Sequence, residues 1–248
     1  MTLADLSAIR TTDITKSFGD RTAVDSLNLS IEEGELFALL GLNGAGKTTL
    51  IKMLCCLLTP TSGDAMLLGD SILTDPNAVK QKLNVSPQET AVAPNLTLRE
   101  NLELIAGIYG STRQEARSLA GEMLDSFGLA ERAGEKAKTL SGGLQRSLSI
   151  AMALITNPRI LFLDEPTLGL DVRARRELWK KILALKGSIT IVLTTHYLEE
   201  VEALADRVGI LHDGRMRAVG TIEELKTETC TDSIEDAFLS LTEQGALT

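Results

Sequence analysis

The sequence predicts an α/β protein organised on a largely parallel central sheet. Three observations lead there. Short apolar runs recur at Glu35–Leu40, Ile160–Leu163, Ile189–Thr194 and Val208–Leu211. Amphipathic stretches with helix-start signals separate them. Two of the runs stop abruptly, one at Gly41 and one at Asp164-Glu165, and the carboxyl edge of an open α/β sheet is where ligands bind.

In chain order, the run Glu35–Leu40 predicts a buried strand, and a helix follows from about Lys47 to Leu58, ended by Pro60. Asp64–Leu68 and Lys82–Val85 read as further strands. From Leu96 to Ile155 the pattern is helical almost throughout. Thr97 with Glu100 and Thr112 with Glu115 fit the capping box, in which each side chain satisfies the other end's free amide. Helices are expected near Val172–Leu185 and Leu198–Leu204 between the later strands. Asp213-Gly214 reads as a hairpin turn, Thr221 with Glu224 caps one more helix, and the last twenty or so residues read as peripheral.

Composition narrows the function classes. Across 248 residues, 34 acidic and 25 basic side chains leave a net charge of -9, and 44% hydrophobic content suffices for a large core. An acidic chain does not suit a phosphate-backbone surface, so no nucleic-acid partner is expected. The longest uncharged stretches, such as Ser147–Pro158, fall short of the ~20 residues that cross a bilayer. Met1–Arg10 carries Asp5 and no apolar run, so it does not read as a secretory signal. Cys55, Cys56 and Cys230 form no CxxC pair. They read as small buried hydrophobes, the first two on one helix.

Three motifs carry chemistry. Gly41-Leu42-Asn43-Gly44-Ala45-Gly46-Lys47-Thr48 fits GxxxxGK(S/T) between a strand and a helix. Its glycines let successive amides turn towards phosphate oxygens, and the helix N-terminus adds partial positive charge. Lys47 can then reach the β- and γ-phosphates while the Thr48 hydroxyl ligates magnesium. Asp164 at the end of an apolar strand suits the magnesium shell, and Glu165 beside it can polarise a water. Leu140-Ser141-Gly142-Gly143 precedes a helix, with Ser141 as a natural N-cap, which makes a second anion site. One chain has no evident use for two half-sites unless each completes the other on a partner molecule.

In this order, the motifs resemble the nucleotide-binding subunit of an ABC transporter over about residues 7–225. The resemblance implies a P-loop NTPase core with a mostly parallel sheet, an N-terminal antiparallel β subdomain and a helical subdomain inserted at about 95–155. Residues 226–248 form a short extension. Further positions match singly. Phe18 resembles the aromatic that stacks on adenine, Gln88 the glutamine that approaches magnesium and the membrane subunit, Asp171 the loop coupling the two sites, and His196 the switch histidine near the γ-phosphate. The resemblance thus implies ATP and Mg2+ as ligands. Glu165, His196 and Lys47 would be catalytic, and Thr48, Gln88 and Asp164 would serve the metal. Phe18, Gly41, Asn43, Gly44, Ala45, Gly46, Lys47, Thr48 and Thr49 would hold the nucleotide, with Ser141, Gly142 and Gly143 of an opposing ATPase subunit closing over it.

The partners implied are that second subunit and an integral membrane permease, placing the chain on the cytoplasmic face of the cell membrane. Ala91–Pro94 and Leu96, next to Gln88, are candidates for receiving a permease helix; the alternative is a contact buried between subdomains. The stretch Asn95–Gly110 and the ending Ser233–Leu239 are similar to exporters of drugs, polysaccharides and lipids. Leu144, Ser147 after Arg146, and Phe18 in place of the more usual Tyr depart from the commonest pattern without removing an expected catalytic group. A soluble scaffold or repair ATPase with no membrane partner is the rival reading. The repair branch, however, inserts long coiled coils or zinc modules where this chain has neither heptads nor CxxC.

Overall fold

The computed structural model describes residues 7–243. The reading of Met1–Arg10 as no secretory signal therefore falls mostly outside the described residues, as does the end of the 226–248 extension.

Two sheets form the frame. In the first, β1 (Ser7–Phe18) and β2 (Arg21–Glu32) pair antiparallel, and β4 (Ser62–Leu67) and β5 (Asp70–Ser71) complete the order β2-β1-β4-β5. The β1–β2 ladder contains register shifts, with Asp13 and Ser26 both at positive φ. These bulges bend the ribbon so that its end, Phe18 and Arg21, overhangs the second sheet's functional edge.

That second sheet has the order β10-β9-β3-β8-β7-β6. It comprises β3 (Leu36–Leu40), β6 (Leu83–Ser86), β7 (Ile160–Asp164), β8 (Thr190–Thr195), β9 (Arg207–His212) and β10 (Arg215–Gly220). All pairings are parallel except β9–β10, which Asp213 and Gly214 close at positive φ in the manner of a hairpin turn. Every residue of β3, β7 and β8 is buried, because a parallel sheet is covered on both faces. One face, with Leu161, Leu163, Ile191 and Leu193, packs against a helical layer. That layer is α3 (Leu98–Ile108), α4 (Arg113–Ser126), α5 (Gly142–Leu154) and α6 (Val172–Leu183). The other face, with Phe37, Leu39, Ile160 and Phe162, meets α1 (Lys47–Leu54) and the first sheet, beside α2 (Pro76–Lys82).

The three capping boxes form as the sequence predicts, at Thr97, Thr112 and Thr221. Other expectations need correction. Helix α1 stops at Leu54, short of Leu58, because Cys56 takes positive φ and the amides of Leu57 and Leu58 turn back to the Lys52 carbonyl. Cys55 and Cys56 thus lie past the helix. Only Cys55 is fully buried, and Cys230 is exposed. Residues 130–141 are short 3-10 turns and loop, not α-helix. The tail is also not peripheral. After α7 (Leu198–Leu204) and α8 (Ile222–Thr229), α9 (Ile234–Glu243) buries Ile234, Ala237 and Phe238 with Ala38 and Leu40 of β3 and Val201 of α7.

Candidate nucleotide site

Parallel pairing decides where the functional groups meet. The registers Leu40↔Thr195 and Asp164↔Thr194 bring the carboxyl ends of β3, β8 and β7 side by side. At that edge β3 gives way to the loop 41–46 and α1, β7 to Asp164-Glu165, and β8 to His196. A cavity of about 500 Å3 opens there. Its lining includes Phe18, Asn43, Gly44, Ala45, Gly46, Lys47, Thr48, Thr49, Gln88, Glu165 and His196.

The loop's glycines are required by space. A Cβ at Gly41 would strike the Leu211 carbonyl, and one at Gly46, whose φ is 109°, would strike that of Ala23. Lys47 is 6% exposed. Its ammonium donates to the Gly41 carbonyl at 2.6 Å and lies 3.4 Å from Glu165 Oε1. The second Glu165 oxygen meets His196 Nδ1 at 2.6 Å. Glu165 itself stands at φ 49°, in left-handed backbone, while its amide is held by Thr194 at the end of the neighbouring strand. That turn points the carboxylate back over the loop, a strained geometry of the kind found at functional sites.

Asp164, 6% exposed, accepts from the Thr194 hydroxyl at 2.5 Å and the Thr48 hydroxyl at 3.2 Å. Among the described residues it has no ion-pair partner. A buried carboxylate bonded to the Thr48 hydroxyl, with the Gln88 carbonyl oxygen on the cavity that Thr48 also lines, offers oxygen donors, and that chemistry fits a small hard cation. The residues expected to serve the metal are therefore compatible with one.

Gln88 lines the cavity from the loop after β6. That loop is fixed by Arg146 of α5, whose guanidinium donates to the carbonyls of Pro87 and Gln88 at 2.5 Å each and to that of Glu165 at 3.4 Å. Burial lowers the Arg146 pKa, and the charges of Asp164 and Glu200 act against that fall. The same loop is pinned further on, where buried Asn101 bonds both the amide and the carbonyl of Ala93. Val92 packs into the helical layer's core, so part of Ala91–Pro94 serves an internal contact.

Ser141, Gly142 and Gly143 do not join the cavity lining. They start α5, with Ser141 exposed at the N-cap position and its side chain making no cap bond. A Cβ at Gly143 would come within 2.9 Å of Ala174 on α6. Asp171 caps α6 through the Ala174 amide at 2.9 Å. The cavity thus gathers Phe18, Asn43–Thr49, Gln88, Glu165 and His196, with Asp164 bonded to Thr48 and Gly41 to Lys47 at its edge, while Ser141–Gly143 lie outside its lining.

Sequence reasoning missed several neighbours. Arg21 lines the cavity across from Gly44. Thr194 orders both acidic residues, and Arg146 ties the loop after β6 to the turn at Glu165. Of these, only Arg146 has a local signal, its place on the helix that Ser141 begins.

Comparison with known proteins agrees. A family model described as ABC transporter matches residues 24–168. The chain is 40% identical to a daunorubicin resistance ATP-binding protein of Streptomyces coeruleorubidus, covering 97% of this chain and 76% of that protein. It is 41% identical to a linearmycin resistance ATP-binding protein of Bacillus subtilis, covering 94% and 74%. A Nod factor export ATP-binding protein of Burkholderia orbicola is 39% identical over 90% and 74%. Among solved structures, an ATP-binding subunit of an ABC transporter superposes with a TM-score of 0.84 at 28% identity, covering 95% and 99%. A dimeric ATP-binding cassette with bound ADP and phosphate gives 0.77 at 28%, covering 86% and 98%. A loop-lined nucleotide cavity, an acidic pair beside it and family-wide likeness over nearly the whole length converge. This chain belongs to the ABC transporter family and is an ATP-binding, ATP-hydrolysing subunit.

Proposed function

We propose that this chain powers an exporter. Two ATP-binding subunits, each contributing one complementary half-site, clasp ATP head to tail and drive a separate membrane-spanning permease from its cytoplasmic face. The carrying observation is the divided site: the triphosphate cradle and Glu165 share one cavity, while the helix start at Ser141 lies outside it with its hydroxyl making no cap bond. The resistance and export names of the relatives support the direction of transport. Among the described residues no helix is long and apolar enough to cross a membrane, which agrees with the permease being a separate chain.

In this reading Phe18 stacks on adenine. The amides of Asn43–Thr49 and Lys47 take the phosphates, and Glu165 accepts the proton of the attacking water. His196 holds Glu165 in orientation through the 2.6 Å contact. Thr48, Asp164 and Gln88 would hold Mg2+, which when bound neutralises phosphate charge and orients the terminal group. Loss of the terminal phosphate weakens the clasp, so binding and cleavage bias a two-state equilibrium.

The dimer is tested with Glu165→Gln, which retains nucleotide. In Mg2+ and ATP it should run at twice the monomer mass in light scattering, and adding Ser141→Arg should return it to monomer. Monomer in both samples would overturn head-to-tail closure. For the permease, affinity capture from detergent extract should recover a multi-span membrane protein; recovery of soluble partners alone would favour the scaffold reading.

Arg21 makes a further expectation. Among the described residues it has no charged partner, and besides Lys47 it is the one permanent cation lining the cavity. A triphosphate needs such charge. Arg21→Ala should raise the ATP Kd about three- to tenfold, the scale of one partly solvated charge contact. Adenosine affinity should stay unchanged in the same titration.

A further inference from the structure

Behind the nucleotide site lies a buried acid that the mechanism above leaves without a task. Glu200, on α7 four residues after His196, is 0% exposed. Its Oε1 accepts from the Trp179 indole of α6 at 3.2 Å. Among the described residues its other oxygen, Oε2, and the Thr167 hydroxyl are buried outside hydrogen-bond geometry, although the Thr167 and Thr195 hydroxyls lie near enough to the carboxyl to act on it. Thr167, Thr195 and Trp179 are the polar neighbours of the carboxyl. Burial, and secondarily the charge of Glu165, push the Glu200 pKa up, while those neighbours hold it back.

An acid is a costly way to fill this space. Val201 and Leu204 already fix α7 in the core, and an apolar side chain at position 200 would avoid the desolvation penalty. Two buried polar atoms outside hydrogen-bond geometry also call for an explanation. Their location supplies one. Thr167 belongs to the turn that follows Glu165, in which Leu168 and Leu170 bond back to Glu165 and Thr167, and Leu168 lines the nucleotide cavity. Trp179 belongs to the helix that Asp171 caps. The remaining link is α7, which follows His196 directly. Arg175 reinforces the junction, its guanidinium lying over both Trp179 and Tyr197 and pairing with Glu199.

We propose that Glu200 is a positioning residue for hydrolysis: held by Trp179, it takes up Thr167 when the site closes and so locks the turn after Glu165 to α6 and α7. A small shift of that turn pairs Thr167 Oγ1 with Glu200 Oε2, so the closed arrangement gains a hydrogen bond that the open one lacks. This rests on the assignment of Glu165 and His196 to hydrolysis.

Trp179 is the protein's single tryptophan, so its fluorescence reports this junction directly. The full chain is titrated with Mg2+ and ATP in wild type, Glu200→Ala and Glu200→Gln, following tryptophan emission, retained radiolabelled ATP and turnover. Wild type should change emission on binding. Glu200→Ala should lose that change and about tenfold in kcat, the scale of a slightly misplaced catalytic group, with ATP Kd within about threefold of wild type. Glu200→Gln, uncharged and of the same shape, should restore both emission response and turnover. Native turnover in Glu200→Ala, or failure of Glu200→Gln to restore it in a protein that melts as wild type does, would overturn the proposal. If Glu165→Gln abolishes turnover while Glu200→Ala does not, only the role of Glu200 falls.

Discussion

Glu165→Gln should slow ATP turnover by about 10²–10⁴-fold while leaving ATP affinity within a few-fold of native, the loss usual for a general base. The amide keeps the side chain's size, and its oxygen can still face Lys47 Nζ while its NH2 donates to His196 Nδ1, so the loop geometry should persist. What disappears is the ability to accept a proton. Single-turnover hydrolysis with radiolabelled ATP, set beside equilibrium binding, separates the two effects. Turnover at the native rate would remove Glu165 from the mechanism. So would a parallel loss of binding and rate, because a base acts on the transition state and not on the bound ground state.

Lys47→Ala should abolish detectable turnover and weaken ATP binding by about 100-fold, as expected when one partner of a buried charge-assisted contact is truncated. The structure gives a second reason for a large effect. Lys47 is anchored by the Gly41 carbonyl and faces a 5% exposed carboxylate. Without it, His196 is the one side-chain partner left to the Glu165 carboxylate among the described residues. The chain should therefore also lose on the order of 1–3 kcal/mol of stability, the cost of an under-satisfied buried group. Isothermal titration and urea unfolding check the two parts independently. An Ala variant that binds ATP natively would contradict the phosphate-cradle assignment of this loop.

The cradle and the acidic pair were legible because each is a local pattern: contiguous residues whose chemistry and flanking elements lie within one window. The capping boxes at Thr97, Thr112 and Thr221 were legible for the same reason. Of the first sheet, β4 was readable as Asp64–Leu68, but the long hairpin of β1 and β2 was not. Its bulges at Asp13 and Ser26 break the two-residue alternation that marks a strand, and only the family resemblance supplied it. The groups that complete the site were hidden for another reason. Arg21 reaches the cavity through the bend of a hairpin, Thr194 through its register with Asp164, and Arg146 through the packing of α5 on the loop after β6. No one-dimensional spacing records such meetings. The tail was misread although its signal was present, since Ile234, Ala237, Phe238 and Leu241 recur at helical spacing along one face.

That tail bears on how the protein can be cut. A truncation at residue 225, where the motifs end, would strip Ile234, Ala237 and Phe238 from Ala38, Leu40 and Val201. Val201 lies on the helix that follows His196, so the trimmed enzyme would lose the backing of its own switch segment and bare a greasy flank. Deletion variants meant to isolate the catalytic module must therefore keep everything through Glu243.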